Sequence, residues 1–164
     1  MGLQLPGELV SILGMLGYDW PTSDEERLFQ LGQLWVEFAP KMEAAGAAAL
    51  ASASTYFANN QGEAAQAFQA WWNGADSPAN ALAQGIPGAS LVGAGIMVCA
   101  GVVLALKIQV IVQLAILAVQ IAQAIATAAV TFGASLLEIP VFKMITSLIL
   151  DQLIAMAVEA VLNG

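Results

Sequence analysis

The chain has 164 residues, of which 59% are hydrophobic and 10% are charged, against roughly 45–50% and 25% in an average soluble domain. Its formal net charge of −8 argues against nucleic-acid binding, which needs a cationic surface. There is no histidine and a single cysteine, Cys99, so an intramolecular disulfide and a zinc site of cysteine and histidine ligands are both excluded.

The first predicted helix is short. Pro6 can open it, and Gly17 can end it. Helical spacing gives this segment one apolar face. The face consists of Leu9, Ile12, Leu13 and Leu16.

A second, longer helix follows an aromatic turn. Thr22 or Ser23 is expected to cap it, and a cluster of three carboxylates from Asp24 to Glu26 occupies its first turn, where the helix dipole favours negative charge. Pro40 is expected to kink the helix rather than end it, and the turn comes at the letters ANNQG. An amphipathic stripe of this helix is formed by Leu28, Leu31, Leu34, Trp35 and Phe38.

The rest of the chain is predicted as a third helix and two long apolar ones. The third, GEAAQAFQAWW, stops near NGADSP, and residues 79–95 stay open because glycine and Pro87 obscure the pattern. Helical periodicity then runs from about Met97 to about Thr131, and a last helix ends near Asn163. No segment reads as a strand, so the fold class is all-α: a helical hairpin followed by long apolar helices that form a bundle.

Charge divides the chain into two predicted regions. Residues 1–80 hold nine of the twelve acidic side chains, whereas residues 108–137 carry no charge at all. We therefore expect an acidic hairpin in residues 1–80 and, in residues 81–164, an apolar region that packs on the hairpin, on a partner or on a membrane.

A polar stripe interrupts the apolar run. At about 100° per residue its members fall within an arc of roughly 80°. Three interpretations stay open: the stripe faces water in a soluble bundle, it faces a wet lumen in an oligomeric membrane assembly, or it binds a partner subunit. The stripe consists of Gln109, Gln113, Gln120, Gln123, Thr127 and Thr131.

Nothing in the sequence indicates catalysis. Without histidine the commonest general base is missing, and neither a carboxylate pair nor a phosphate-binding glycine loop stands out. We expect a protein that is not an enzyme and binds no cofactor and no metal.

The predicted hairpin resembles that of WXG-type substrates of type VII secretion. In that family a Trp-x-Gly lies at the turn, and an Ala-aromatic pair follows. Asn60, Gln61 and Gly62 occupy the turn here, and Ala67 and Phe68 follow at the family's spacing, so Asn60 stands where the family has tryptophan. The letters Trp72-Asn73-Gly74 lie after the helix and are taken as a coincidence of spelling.

A larger part of the chain is similar to the WXG-like N-terminal domain of actinobacterial type VII-secreted polymorphic toxins, including channel proteins that carry a necrotizing toxin. The similar segments are LPGELVSILGMLGYDWPTSDEE, NQGEAAQAF, LKIQVIVQLAILAVQIAQAIA and VTFGASLLEIP. The resemblance implies a secreted or envelope-associated delivery region whose toxin domain lies elsewhere in a parent protein. It also implies a homo-oligomer or a small WXG-type partner protein.

One feature departs from that family, in which a Tyr-x-x-x-Asp/Glu export signal follows the hairpin. Tyr18 and Tyr56 have Thr22 and Asn60 four positions on, so export would need a signal from a partner or from sequence outside this chain. The leading hypothesis is an export and scaffold module. The alternatives are a membrane channel or pore component, and a structural, self-assembling helical protein.

Overall fold

The structure is a computed structural model that describes residues 2–163, and all regular structure in this range is helical. The elements are α1 (Gly7–Leu16), α2 (Glu25–Asn59), α3 (Glu63–Trp72), α4 (Pro78–Thr127), a short 3₁₀ helix (Ala134–Glu138) and α5 (Ile139–Asn163). The all-α prediction is confirmed. Contacts divide the chain into two units, residues 29–97 and residues 1–28 with 98–164. One boundary falls inside α2 and the other inside α4. The sequence-based division at residue 80 stays a prediction.

The unit of residues 29–97 is held together by small residues. A Cβ atom added at Gly93 would lie 2.7 Å from the Gly32 carbonyl oxygen and 3.0 Å from the Val36 amide nitrogen, so α2 and α4 touch there backbone to backbone. Further along, Gly85 lies against Met42 and Gly46 against Leu82. These pairings run in opposite directions along the two helices, which are therefore antiparallel in this unit.

The other unit has a core of leucine and valine. Leu13 of α1, Val110 and Leu114 of α4, and Leu150 of α5 form a buried cluster. The predicted apolar face of α1 packs against this cluster, and Gly17 ends α1 in the left-handed region with φ +83°. Buried positions of α4 in this unit recur at intervals of three, four or seven residues, the spacing of a narrow helix–helix seam. They are Ala100, Lys107, Val110, Leu114, Leu117 and Ala124.

Several predicted element boundaries differ from those in the structure. Asp24, rather than Thr22 or Ser23, caps α2, since its Oδ1 accepts the Arg27 amide at 3.1 Å. Pro40 lies inside α2 without ending it, as predicted. The open segment 79–95 is helical, and Pro87 is accommodated within α4, which ends at Thr127 rather than Thr131.

Candidate interaction surfaces

The turn between α2 and α3 contains the predicted motif residues Asn60, Gln61 and Gly62. The Asn60 side-chain amide donates to the Tyr56 carbonyl at 2.8 Å and so caps the end of α2. Gly62 has φ +109°, a conformation that side-chain-bearing residues rarely adopt, and its carbonyl accepts the Gln66 amide at 3.1 Å. The backbone conformation of this turn therefore favours glycine at position 62.

Phe68, the aromatic residue of the Ala-aromatic pair, contacts the aromatic side chains next to the turn. The ring of Phe68 is half-buried, and its centroid lies 5.4 Å from that of Tyr56 and 5.3 Å from that of Phe57. The Trp71 ring stacks on Phe68 at 5.8 Å, and Trp72 lies 6.1 Å away. Phe68 is thus the centre of an aromatic cluster that ties α3 to α2, whereas Ala67 is exposed.

A cavity of about 270 Å³ opens beside this turn. It is lined by Phe57, Asn60, Gln61, Gly62, Ala65, Gln66 and Gln69. Its lining combines three glutamines with an asparagine and carries no charge, so its chemistry suits amide or hydroxyl groups rather than ions.

The letters Trp72-Asn73-Gly74 begin at the last residue of α3 and continue into the turn before α4. The Gly74 amide donates to the Trp71 carbonyl at 3.1 Å, and the Ser77 hydroxyl then accepts the Asn80 amide at 3.2 Å to start α4. The predicted end of α3 near NGADSP is therefore confirmed.

The amphipathic stripe of α2 is largely exposed. An apolar groove of about 290 Å³ runs along it, lined by Leu31, Leu34, Trp35 and Phe38. Their spacing of three and four residues is that of the anchor positions with which one helix receives another. We conclude that this stripe is a surface of the unit rather than part of its core.

The residues of the polar stripe differ in how far they are exposed. Gln109, Gln123, Thr127 and Thr131 are exposed, whereas Gln113 and Gln120 are half-buried. Much of the wide apolar face of α4 beside the stripe is also exposed, because the buried positions of α4 form only a narrow row along it. Its exposed members include Ile108, Val112, Ile116, Val119 and Ile125.

A second apolar groove, of about 250 Å³, lies between α4 and α5. It is lined by Val102, Val103, Leu106, Ile154, Ala157, Val158, Val161 and Leu162. No polar side chain contributes to it, so only an apolar occupant or a lipid would be stabilised there.

A buried ion pair lies where sequence patterns indicated none. The Lys107 ammonium is 1% exposed and donates to Glu25 Oε2 at 2.7 Å and to the Ser23 carbonyl at 2.6 Å. It also lies 5.8 Å from the centre of the Trp20 ring, within cation–π range. Glu25 lies in the first turn of α2, as predicted, and its carboxylate in addition contacts a lysine 82 positions away, which the sequence pattern did not indicate.

Electrostatics keep Glu25 ionised. Burial acts to raise the pKa of its carboxyl group, but hydrogen bonds from the Leu3 amide and from the Lys107 ammonium outweigh that effect and lower the pKa to about 2. The Leu3 contact means that the same carboxylate also fixes the segment before α1.

A second polar contact joins Tyr18 to α5. The Tyr18 hydroxyl donates to Asp151 Oδ1 at 2.6 Å and lies 3.1 Å from the Ser147 carbonyl oxygen. The hydrogen bond to Asp151 raises the pKa of the Tyr18 hydroxyl, and burial adds to the rise. Sequence analysis considered Tyr18 only as a candidate export signal and missed this contact, which local spacing does not encode.

Among residues 2–163 no group of three or more histidine, cysteine or acidic side chains could hold a metal ion. Two helical stretches, Pro78–Thr127 and Ala134–Asn163, are long and apolar enough to cross a membrane by length and composition.

Comparison with known proteins gives one match. A family model described as "WXG100 like domain" matches residues 4–148, which include α1 to α4 and the first part of α5. No curated protein and no solved structure matches the chain.

Proposed function

Because the chain belongs to the WXG100-like domain family, which relates it to type VII secretion, we propose that it is the export and scaffold module of a type VII-secreted polymorphic toxin. The module acts by association through its apolar helices, and the toxin domain lies elsewhere in the parent protein. Export by this route would place the module in the cell envelope or outside the cell.

The observation that carries the proposal is the hairpin of α2 and α3 with its exposed groove. Gly62 and Phe68 support the hairpin, and Leu31, Leu34, Trp35 and Phe38 present an apolar surface at helical spacing. A solvent-exposed row of this kind is stabilised when an amphipathic helix covers it. We propose that its partner is a small WXG-type protein, and that the partner supplies the export signal that Tyr18 and Tyr56 do not provide.

The proposal treats the module as non-catalytic. The sequence has no histidine, and the buried charges of Glu25 and Lys107 are engaged with each other. Both observations support a role in binding and delivery.

The proposal is tested in the full-length parent protein. Leu34→Glu combined with Phe38→Glu places two charges in the groove, and we expect export to fall at least about tenfold because a charge buried without a partner is costly. Leu91→Glu is the matched control: Leu91 is a 73% exposed leucine of the same unit but does not line the groove, so its export should stay near the wild-type level.

A coarser variant tests the hairpin as a whole. Deletion of residues 24–74 from the parent protein should abolish export, as measured by immunoblotting of culture filtrate against a cytosolic marker. Unchanged export of that deletion variant would refute the export role.

A second candidate function is a membrane channel component. It is favoured by the charge-free residues 108–137 and by the polar stripe whose glutamines lie on an exposed or half-buried side of α4. Conductance in planar bilayers that changes on Gln113→Leu or Gln120→Leu would support it, whereas no conductance at all would exclude it.

A further inference from the structure

The segment that joins α4 to α5 exposes large apolar side chains to an unusual degree. Residues 128–137, called the tip segment below, include Phe132 with 99%, Val130 with 82% and Leu137 with 77% of the side chain exposed. Connecting segments ordinarily carry polar residues at such positions because they face water. Burial within the chain therefore does not explain these three side chains.

Phe132 also has a strained backbone. Its φ of +52° lies in the left-handed region, which costs a residue with a side chain roughly 1–2 kcal/mol. Gly133, which follows with φ +86°, adopts the same region without that cost. A fully exposed phenylalanine on a strained backbone contributes nothing evident to folding, and this combination points to a role outside the chain itself.

The hydroxyl groups in and next to the tip segment are hydrogen-bonded within the chain. Between Ala124 and Leu137 the side chains that can form hydrogen bonds are three hydroxyls. Thr127 donates to the Gln123 carbonyl at 2.9 Å, Thr131 to the Thr127 carbonyl at 3.0 Å, and Ser135 to the Ala124 carbonyl at 2.7 Å. Each hydroxyl is thus satisfied within the segment and the end of α4.

Most backbone amides of the tip segment are satisfied in the same way. The Gly133 amide donates to the Ala128 carbonyl at 2.8 Å, and the Ser135 amide to the Thr131 hydroxyl at 3.3 Å. Further amides that donate to carbonyls of residues 125–133 are those of Ala128, Val130, Thr131, Ala134 and Leu136. The segment thus combines exposed apolar side chains with polar groups that are hydrogen-bonded within the chain.

These two properties together match the requirement for entering hydrocarbon, where no water is present to satisfy a polar group. A protein partner would instead favour a polar rim around the apolar centre, but no charged residue lies between Lys107 and Glu138. The neighbouring ends of the helices, α4 up to Thr127 and α5 from Ile139, belong to stretches that are apolar enough to cross a membrane by length and composition, and only these ends need to contact lipid.

We propose that the tip segment enters a lipid bilayer, with Phe132 leading. Because the segment has no charge, an uncharged, zwitterionic bilayer suffices, and salt does not weaken the binding. The inference goes beyond the export role and does not need a pore: a tip can enter one leaflet without forming a channel.

The test places a fluorescent label at the tip. In the full chain with Cys99→Ala, Phe132→Cys is labelled with the polarity-sensitive dye NBD, and phosphatidylcholine vesicles are added. We expect the emission to shift to the blue and to be quenched by bromine atoms on the acyl chains, both in buffer and in about 0.5 M sodium chloride. Leu91→Cys, labelled in the same way, is the control and should show neither change.

A second measurement uses an unlabelled chain. Phe132→Asp should lower the vesicle partition coefficient at least about tenfold, since aspartate is strongly disfavoured in hydrocarbon, whereas Leu91→Asp should change it less than about twofold. Circular dichroism checks that both variants keep the helical content of the wild type. The inference is overturned if the label at residue 132 stays in water, or if both labelled positions respond equally. Neither measurement involves secretion or conductance, so a failure here leaves the export and channel proposals to their own tests.

Discussion

Glu25 and Lys107 are both buried, and each charge is compensated mainly by the other and by backbone groups. Lys107 is held by the carbonyl oxygen of Ser23 as well as by the Glu25 carboxylate, and Glu25 accepts the Leu3 amide. Loss of one charge leaves the other without its counter-ion in a site that water does not reach. The pair is therefore a point at which a single substitution should have a large effect.

We predict that Lys107→Met lowers the free energy of unfolding by about 3–5 kcal/mol, because Glu25 is then buried without its counter-charge. The measurement is urea denaturation followed by circular dichroism. Lys143→Met, which removes a half-buried lysine of α5, should cost less than about 1 kcal/mol. Adding Glu25→Gln to Lys107→Met should recover part of the loss. A Lys107→Met variant as stable as the wild type would contradict the assignment.

The contact between helices α2 and α4 depends on glycine at two facing positions. Gly32 and Gly93 bring α2 and α4 so close that a methyl group on either one would meet backbone atoms of the other helix. Backbone atoms cannot rotate aside as a flexible side chain can. Substitution must therefore push the helices apart.

We predict that Gly93→Ala lowers the free energy of unfolding by about 1–3 kcal/mol through this overpacking. Gly101→Ala is the matched control in the same helix: its Cβ would meet nothing within 4 Å, so the higher helix propensity of alanine should raise stability by up to about 1 kcal/mol. Opposite signs in thermal or chemical unfolding are the expected result, and equal shifts would show that the close contact does not matter.

Local patterns predicted most of these elements. Pro6 and Gly17 bound α1 as expected, and the apolar periodicity continued across Pro40, which lies inside α2. The segment 79–95 could not be assigned, since its glycines lower the helix signal while their actual use, close approach to Gly32 and Met42, depends on a helix far away in sequence. Short-range spacing does not contain that information.

For the candidate interaction surfaces too, local features could be predicted from the sequence and contacts between distant residues could not. Gly62 and Phe68 were identified because a turn and an aromatic spacing are local features. The partners of Lys107 and Tyr18 lie 82 and 133 positions away in sequence, and no periodicity links such residues. The exposure and the φ of Phe132 were also not predicted, because they are visible only in three dimensions.

At the scale of the whole molecule, the chain leaves large apolar side chains exposed on each of its long helices. Examples are Leu34 and Trp35 on α2, Leu91 and Val119 on α4, and Leu148 on α5. Isolated exposed hydrophobic residues are normal, but contiguous apolar surfaces on this scale mark sites of association.

We predict that the purified chain self-associates in the absence of detergent and lipid. Size-exclusion chromatography with light scattering should give a mass above the 16.9 kDa of one chain, and a mild detergent should shift the distribution towards the monomer because it covers apolar surface. A strictly monomeric chain at about 10 µM, well within the range where apolar interfaces of standard size associate, would contradict this prediction.

The Glu25 carboxylate also determines how the stability of the fold depends on pH. Its pKa falls from an ordinary value of 4.5 to about 2 on folding, so its contribution to stability is complete above pH 4.5 and is lost only as the pH falls towards 2. The stability difference between the wild type and Glu25→Gln should thus stay constant from pH 7 to about pH 5 and shrink below pH 4.5. At pH 5 the Glu25 carboxylate is therefore still ionised in the folded chain, and it still accepts the Leu3 amide that fixes the segment before α1.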